Sequence, residues 1–92
     1  MLDRTNSSSI ERVAQLVHQL MARRSIDRQV GHDDVLGECG LSSLDMVNLM
    51  LAVETEFDIK IPDRDMTPSN FRSIAQIDKL VGALLRSDQQ VG

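Results

Sequence analysis

The sequence predicts an all-α fold, a small four-helix bundle with three main helices and one short third helix. Three observations predict it. Apolar residues recur at spacings of three and four in two separate stretches, one after Ser8-Ser9 and one after Ser73, the signature of a helix with one buried face. Between them lies a mostly apolar run from Ser43 to Phe57. Alternation of the strand type is confined to Ile59-Lys60-Ile61 and ends at Pro62, too short and too close to a proline for a strand.

The first helix opens on Ser8-Ser9-Ile10-Glu11, a capping-box pattern in which a serine and a glutamate satisfy each other's free backbone donors. Ile10, Val13, Val17, Leu20 and Met21 form its apolar stripe, and Arg23-Arg24 end it, cations suiting the negative end of the helix dipole. From Ser25 to Ser42 no period persists, and Gly31, Gly37 and Gly40 interrupt the chain. A loop of this length is uncommon in a compact domain without a functional reason. Val30, Val35, Leu36 and Leu41 are expected to peg it to the core.

The second helix is expected over Ser43 to Phe57, capped by Ser42 or Ser43, with Asp45 in its first turn, a favourable place for an acid. Asp45, Asn48, Ala52, Thr55 and Glu56 share one polar sector. Apolar residues fill most of the rest, so the helix is either largely enclosed or keeps part of its apolar face for a partner. Ile59 to Pro62 reads as an extended connector. Thr67-Pro68 opens a short turn of helix through Phe71, with threonine as cap and proline at the first helical position. Ser73 to Gln76 repeats the capping-box pattern, and Ile74, Ile77, Leu80, Val81, Leu84 and Leu85 form the stripe of the last helix. The polar residues 87–92, like residues 1–7, are expected to be frayed tails.

Size and composition bound what this chain does. Its 92 residues are expected to form a single domain, burying roughly 60–65% of the unfolded surface, with little room for an enclosed active site. Phe57 and Phe71 are the only aromatic residues, so stacking platforms for single-stranded nucleic acid are missing. A lone Cys39 excludes an internal disulfide. No apolar run approaches the ~20 residues of a membrane span, and Met1 to Ser7 contain no apolar export segment; a monomer in the cytoplasm is expected. The net charge of −4 is unevenly distributed: residues 32–66 hold nine acids against Lys60 and Arg64, a net −7. That segment repels a phosphate backbone, which argues against nucleic acid, and attracts a basic surface.

Chemistry points to Gly40-Leu41-Ser42-Ser43-Leu44-Asp45. This run places a serine hydroxyl at a helix start, after a glycine, beside backbone N–H groups that favour a phosphate. Ser42 and Ser43 as simple helix caps is the competing interpretation. The stretch from Asp34 to Val81 resembles the acyl carrier protein family, whose Gly-x-Asp-Ser-Leu-type motif is matched here by Gly40 to Leu44. The family's acidic helix end, Phe and Ile-x-Ile-Pro connector are matched by Glu54-Thr55-Glu56, Phe57 and Ile59 to Asp63. The resemblance implies 4′-phosphopantetheine attached covalently to Ser43. It also implies a phosphopantetheinyl transferase that installs it, a ligase that loads an acyl or aminoacyl group as a thioester, and downstream transferases. The chain itself is then a carrier and not an enzyme. Leu44, Asp45, Val47, Asn48, Leu51 and Glu54 are the expected partner contacts, with core packing the alternative for the apolar three. Two departures, Ser42 where fatty-acid carriers have an acid and a second helix with Asn48 and Thr55 among its acids, point to a specialised carrier.

Other interpretations fit less well. Asp63-x-Asp65-x-Thr67 begins like a calcium loop but has Pro68 and Ile74 where glycine and glutamate are needed. Nothing in the pattern orients His18 or His32 toward Cys39, and no Gly-x-Ser-x-Gly surrounds Ser43. The remaining alternative is an acidic helical interaction module with no prosthetic group.

Overall fold

The computed structural model describes residues 8–91, and the side chains of residues 8–86. It contains three α-helices, α1 (Ser9–Arg23), α2 (Ser43–Phe57) and α3 (Ile74–Val91), with 3-10 turns at Leu36–Cys39, Asp63–Asp65 and Pro68–Phe71. No strand occurs among the described residues. The short third helix is therefore a single 3-10 turn, capped by Thr67, whose hydroxyl accepts from the Asn70 N–H.

Each helix stripe turns inward. Val13, Val17, Leu20 and Met21 of α1 meet Leu49, Val53 and Phe57 of α2 and Ile74, Ile77, Leu80 and Val81 of α3 in one aliphatic core, closed by Phe71 and Ile61. Burying a Val, Leu or Ile side chain stabilises by about 1.5–3 kcal/mol, so this cluster is what makes so small a chain fold. Arg12 clamps the outside: its guanidinium pairs with Glu56 at 2.9 Å, donates to the Glu56 carbonyl at 2.8 Å and lies 4.4 Å over the Phe57 ring. Ser9 donates to Asp78, tying α1 to α3.

Helix starts follow the serine pattern. Ser8 and Ser73 each accept a backbone N–H from three residues on, Glu11 and Gln76. At the other end, α3 continues to Val91, so residues 87–91 are helical where a frayed tail was expected. No glycine or proline interrupts the chain between Ala83 and Val91, and Arg and Gln are good helix formers. Residues 1–7 lie outside the described residues.

The long loop is ordered by what it is tied to. Val30, Leu36 and Leu41 are buried, with Val35 half-buried, as expected; Cys39 is buried with them. Two backbone bonds staple the loop to the start of α3 and the residues just before it: Leu36 N–H to Arg72 O at 2.8 Å, and Ala75 N–H to His32 O at 2.9 Å. The 3-10 turn at Leu36–Cys39 ends at Gly40, with φ 104°, a conformation that L side chains rarely adopt. That reversal aims the chain into α2.

Candidate functional site

The site lies at the N-terminus of α2, where the loop, the 3-10 turn at Pro68–Phe71 and the helix converge. Ser42 is the helix cap. Its hydroxyl accepts from the Asp45 N–H at 3.2 Å, and its own N–H donates to the Asp45 carboxylate at 2.8 Å. This reciprocal pair is a complete capping box, and it settles which serine does the capping. Ser43 is the first helical residue, exposed, with its hydroxyl free of any cap contact. The N–H groups of Ser43 and Leu44 belong to the first turn, which has no intrahelical acceptors.

Asp45 is only 5% exposed. Its carboxylate also meets Arg24 at 3.3 Å, so the end of α1 is bonded to the start of α2. Asp45 is held below the usual aspartate range, chiefly by the hydrogen bond from the Ser42 N–H. Burial opposes this, and the Ser42 side chain and the Arg24 charge add to it. Asp45, one of the partner contacts expected from the sequence, is thus buried and engaged within the chain, one carboxylate oxygen meeting both the Ser42 N–H and Arg24. Glu54, also expected among those contacts, is half-buried, and its carboxylate accepts the Ile61 N–H at 2.7 Å and fixes the connector.

The other four expected contacts lie outward. Leu44, Val47 and Leu51 are 68%, 48% and 53% exposed, and Asn48 is exposed between them. Core packing, the alternative for these leucines and the valine, is excluded. Large apolar side chains left in water along one helix face are a mark of an interaction surface. Beside them a groove of about 460 Å³ runs from Ser43 past Met46, Val47 and Met50 to Met66, Phe71 and Arg72. No pattern in the sequence flagged Arg72 or this groove, which is built from residues distant along the chain.

Cys39 is buried and its thiol donates to the Val35 carbonyl at 3.4 Å. It is a packed thiol, apart from both histidines, which are exposed. Asp63 and Asp65 lie in their own 3-10 turn, and no cluster of potential metal ligands is found among the described residues.

A family model described as phosphopantetheine attachment site matches residues 11–78, from the first turns of α1 into α3. The chain belongs to this family of phosphopantetheine-bearing carriers. Its prosthetic group is thus 4′-phosphopantetheine, and the carrier acts by presenting a group to partner enzymes, without catalysis of its own. That excludes the interaction module lacking a prosthetic group. The carrier is 38% identical over 76 residues to aminoacyl carrier protein 1 of Bradyrhizobium diazoefficiens, covering 83% of this chain and 84% of the relative. Its fold is similar to a chain in the crystal structure of Bradyrhizobium japonicum glycine:[carrier protein] ligase complexed with glycylated carrier protein (TM-score 0.69, 37% identity, 79% of this chain and 99% of that chain). It is likewise similar to a chain in that ligase's complex with its cognate carrier protein and an analogue of glycyl adenylate (TM-score 0.71, 37% identity, 83% and 99%).

The residues around Ser43 fit such a group. An exposed hydroxyl, spare N–H donors at a helix start and an open apolar groove suit a phosphodiester followed by a flexible chain. No helix among the described residues is long and apolar enough to cross a membrane.

Proposed function

We propose that Ser43 is the attachment residue and that this carrier is a specialised one, loaded with an amino acid by a dedicated ligase. The observation that carries the assignment is the division of labour between adjacent serines. Ser42 makes both bonds of the capping box, which leaves the exposed Ser43 hydroxyl free to react. In a transferase active site, Ser43 Oγ bonds to the pantetheine-side phosphorus of coenzyme A and gives up its proton. The pyrophosphate P–O bond breaks and adenosine 3′,5′-bisphosphate leaves. When attached, the arm supplies a terminal thiol that carries the cargo as a thioester.

The chain's own contribution is to hold the attachment point. Asp45 and Ser42 fix the first turn of α2, Arg24 ties it to α1, and Gly40 turns the loop into it. Leu44, Val47, Asn48 and Leu51 form the surface that partner enzymes touch. Support for an amino acid cargo comes from the relatives, two of which are named aminoacyl carrier proteins, and from the glycylated carrier in the structural relative. Downstream transferases then receive the cargo. The need for coenzyme A as donor favours the cytoplasm.

The test is a loading assay on the phosphopantetheinylated protein. Incubation with ATP, a glycine:[carrier protein] ligase and either glycine or a panel of small amino acids should add one aminoacyl mass, removable by hydroxylamine. Loading by fatty acyl ligases alone would overturn the aminoacyl assignment.

A further inference from the structure

The acidity of the middle third does not reach the recognition face of α2. The helix has three acids, and all three are engaged within the chain: Asp45 by Ser42 and Arg24, Glu54 by the Ile61 N–H, and Glu56 by Arg12. Besides Ser43 and the Arg12-paired Glu56, the exposed residues of α2 are Leu44, Val47, Asn48, Leu51 and Thr55, an uncharged ridge. The other acids of the segment lie on the loop, at the end of α2 and on the connector.

The ridge is flanked by two grooves. One is the groove at Ser43, and its single charged lining residue is Arg72. The other, about 430 Å³, lies between α1 and α2 along Leu16, Leu20, Asn48 and Leu51, and its single charged lining residue is Arg23. Both arginines are exposed, and neither forms an ion pair among the described residues. An apolar ridge between two cations that have no ion pair among the described residues is therefore set in a protein of net charge −4.

Resting on the carrier assignment above, we infer that this face docks the loading ligase through an apolar patch flanked by carboxylates, one meeting Arg23 and one meeting Arg72. A basic docking patch, the complement of the chain's overall charge, is repelled at both edges. Charges at the rim of an interface govern encounter rate and partner choice more than final affinity. The two arginines are thus specificity-determining residues: they select an acid-bearing partner over basic ones. Guanidinium groups suit the task, since they pair bidentately with carboxylates and are weakly hydrated.

The experiment measures ligase loading of phosphopantetheinylated carrier as a function of carrier concentration. The probe is the glycine:[carrier protein] ligase with ATP and glycine, and the variants are Arg23→Glu, Arg72→Glu, their Gln counterparts and Lys79→Glu. Lys79 is exposed on α3, outside both grooves, and its reversal changes net charge as much as either arginine's. Each arginine reversal should raise KM roughly tenfold with kcat held, and each Gln variant a few-fold, the scale of lost rim pairs. Lys79→Glu should leave KM unchanged, and added salt should raise the wild-type KM. Circular dichroism melts confirm that each variant is folded. An unchanged or lowered KM in the arginine reversals, or an equal rise in Lys79→Glu, overturns the proposal. Failure of the wild type to load at all, once its arm is confirmed by mass, overturns the aminoacyl assignment and this proposal with it.

Discussion

Ser42 and Asp45 hold each other through two hydrogen bonds, hydroxyl to N–H at 3.2 Å and N–H to carboxylate at 2.8 Å, across the first turn of α2. Ser43, the first of the two residues between them, is thereby relieved of the capping role at this helix start. A reactive group gains from such an arrangement, because its position is determined by neighbours that do not react.

That relationship predicts opposite results for adjacent serines. Ser43→Ala should unfold in urea within about 0.5 kcal/mol of wild type, as exposed substitutions away from caps do. Ser42→Ala should lose roughly 1 kcal/mol, the usual value of a serine cap. Equal losses would mean that the capping box is shared.

Asp45 gives the stability an acid limb. Its folded pKa lies below the unfolded one, so it contributes stability at pH values above the ordinary aspartate pKa of about 3.9. That contribution is lost as pH falls from there through the folded value. Denaturation midpoints followed from neutral pH to below pH 4 should fall less steeply in Asp45→Asn than in wild type. Parallel curves would show that Asp45 carries none of the dependence.

The two faces of α2 should separate stability from recognition. Leu49→Ala, at a fully buried position, should lose about 2–5 kcal/mol. Leu51→Ala, at a half-exposed one, should stay within about 0.5 kcal/mol of wild type and yet load more slowly with the ligase. Normal loading of folded Leu51→Ala would remove it from the contact surface.

Gly40 holds its left-handed backbone just before the motif. Gly40→Ala should lose about 1–2 kcal/mol from strain alone, measured by thermal denaturation, with the added methyl meeting Ile26 at an ordinary 3.4 Å.

Much of this molecule is legible in the sequence where the determinants are local. The serine caps at Ser8 and Ser73 and the stripes of α1 and α3 follow from spacing alone, whereas spacing leaves Ser42 and Ser43 as equal candidates for the cap of α2. The 3-10 turns at Leu36–Cys39 and Asp63–Asp65 are too short to show a period, and glycines mask the first. The outward face of α2 is ambiguous for a different reason: its apolar residues circle most of the helix, so a wheel cannot say which side meets the core. The roles of Asp45 and Glu54 depend on partners fixed by three-dimensional turns. Both look like surface acids until the carboxylates are seen accepting from Ser42 and Ile61. Arg72 lines the site from a segment whose carbonyl accepts the Leu36 N–H, a contact between residues far apart in the chain.

The most direct measurement is the intact mass of the purified unmodified protein before and after incubation with coenzyme A and a broad-specificity phosphopantetheinyl transferase, with fragmentation to locate the added group. The account predicts a gain of one phosphopantetheine on Ser43 and none in folded Ser43→Ala. No gain on folded wild type, or a gain retained in Ser43→Ala, would contradict it.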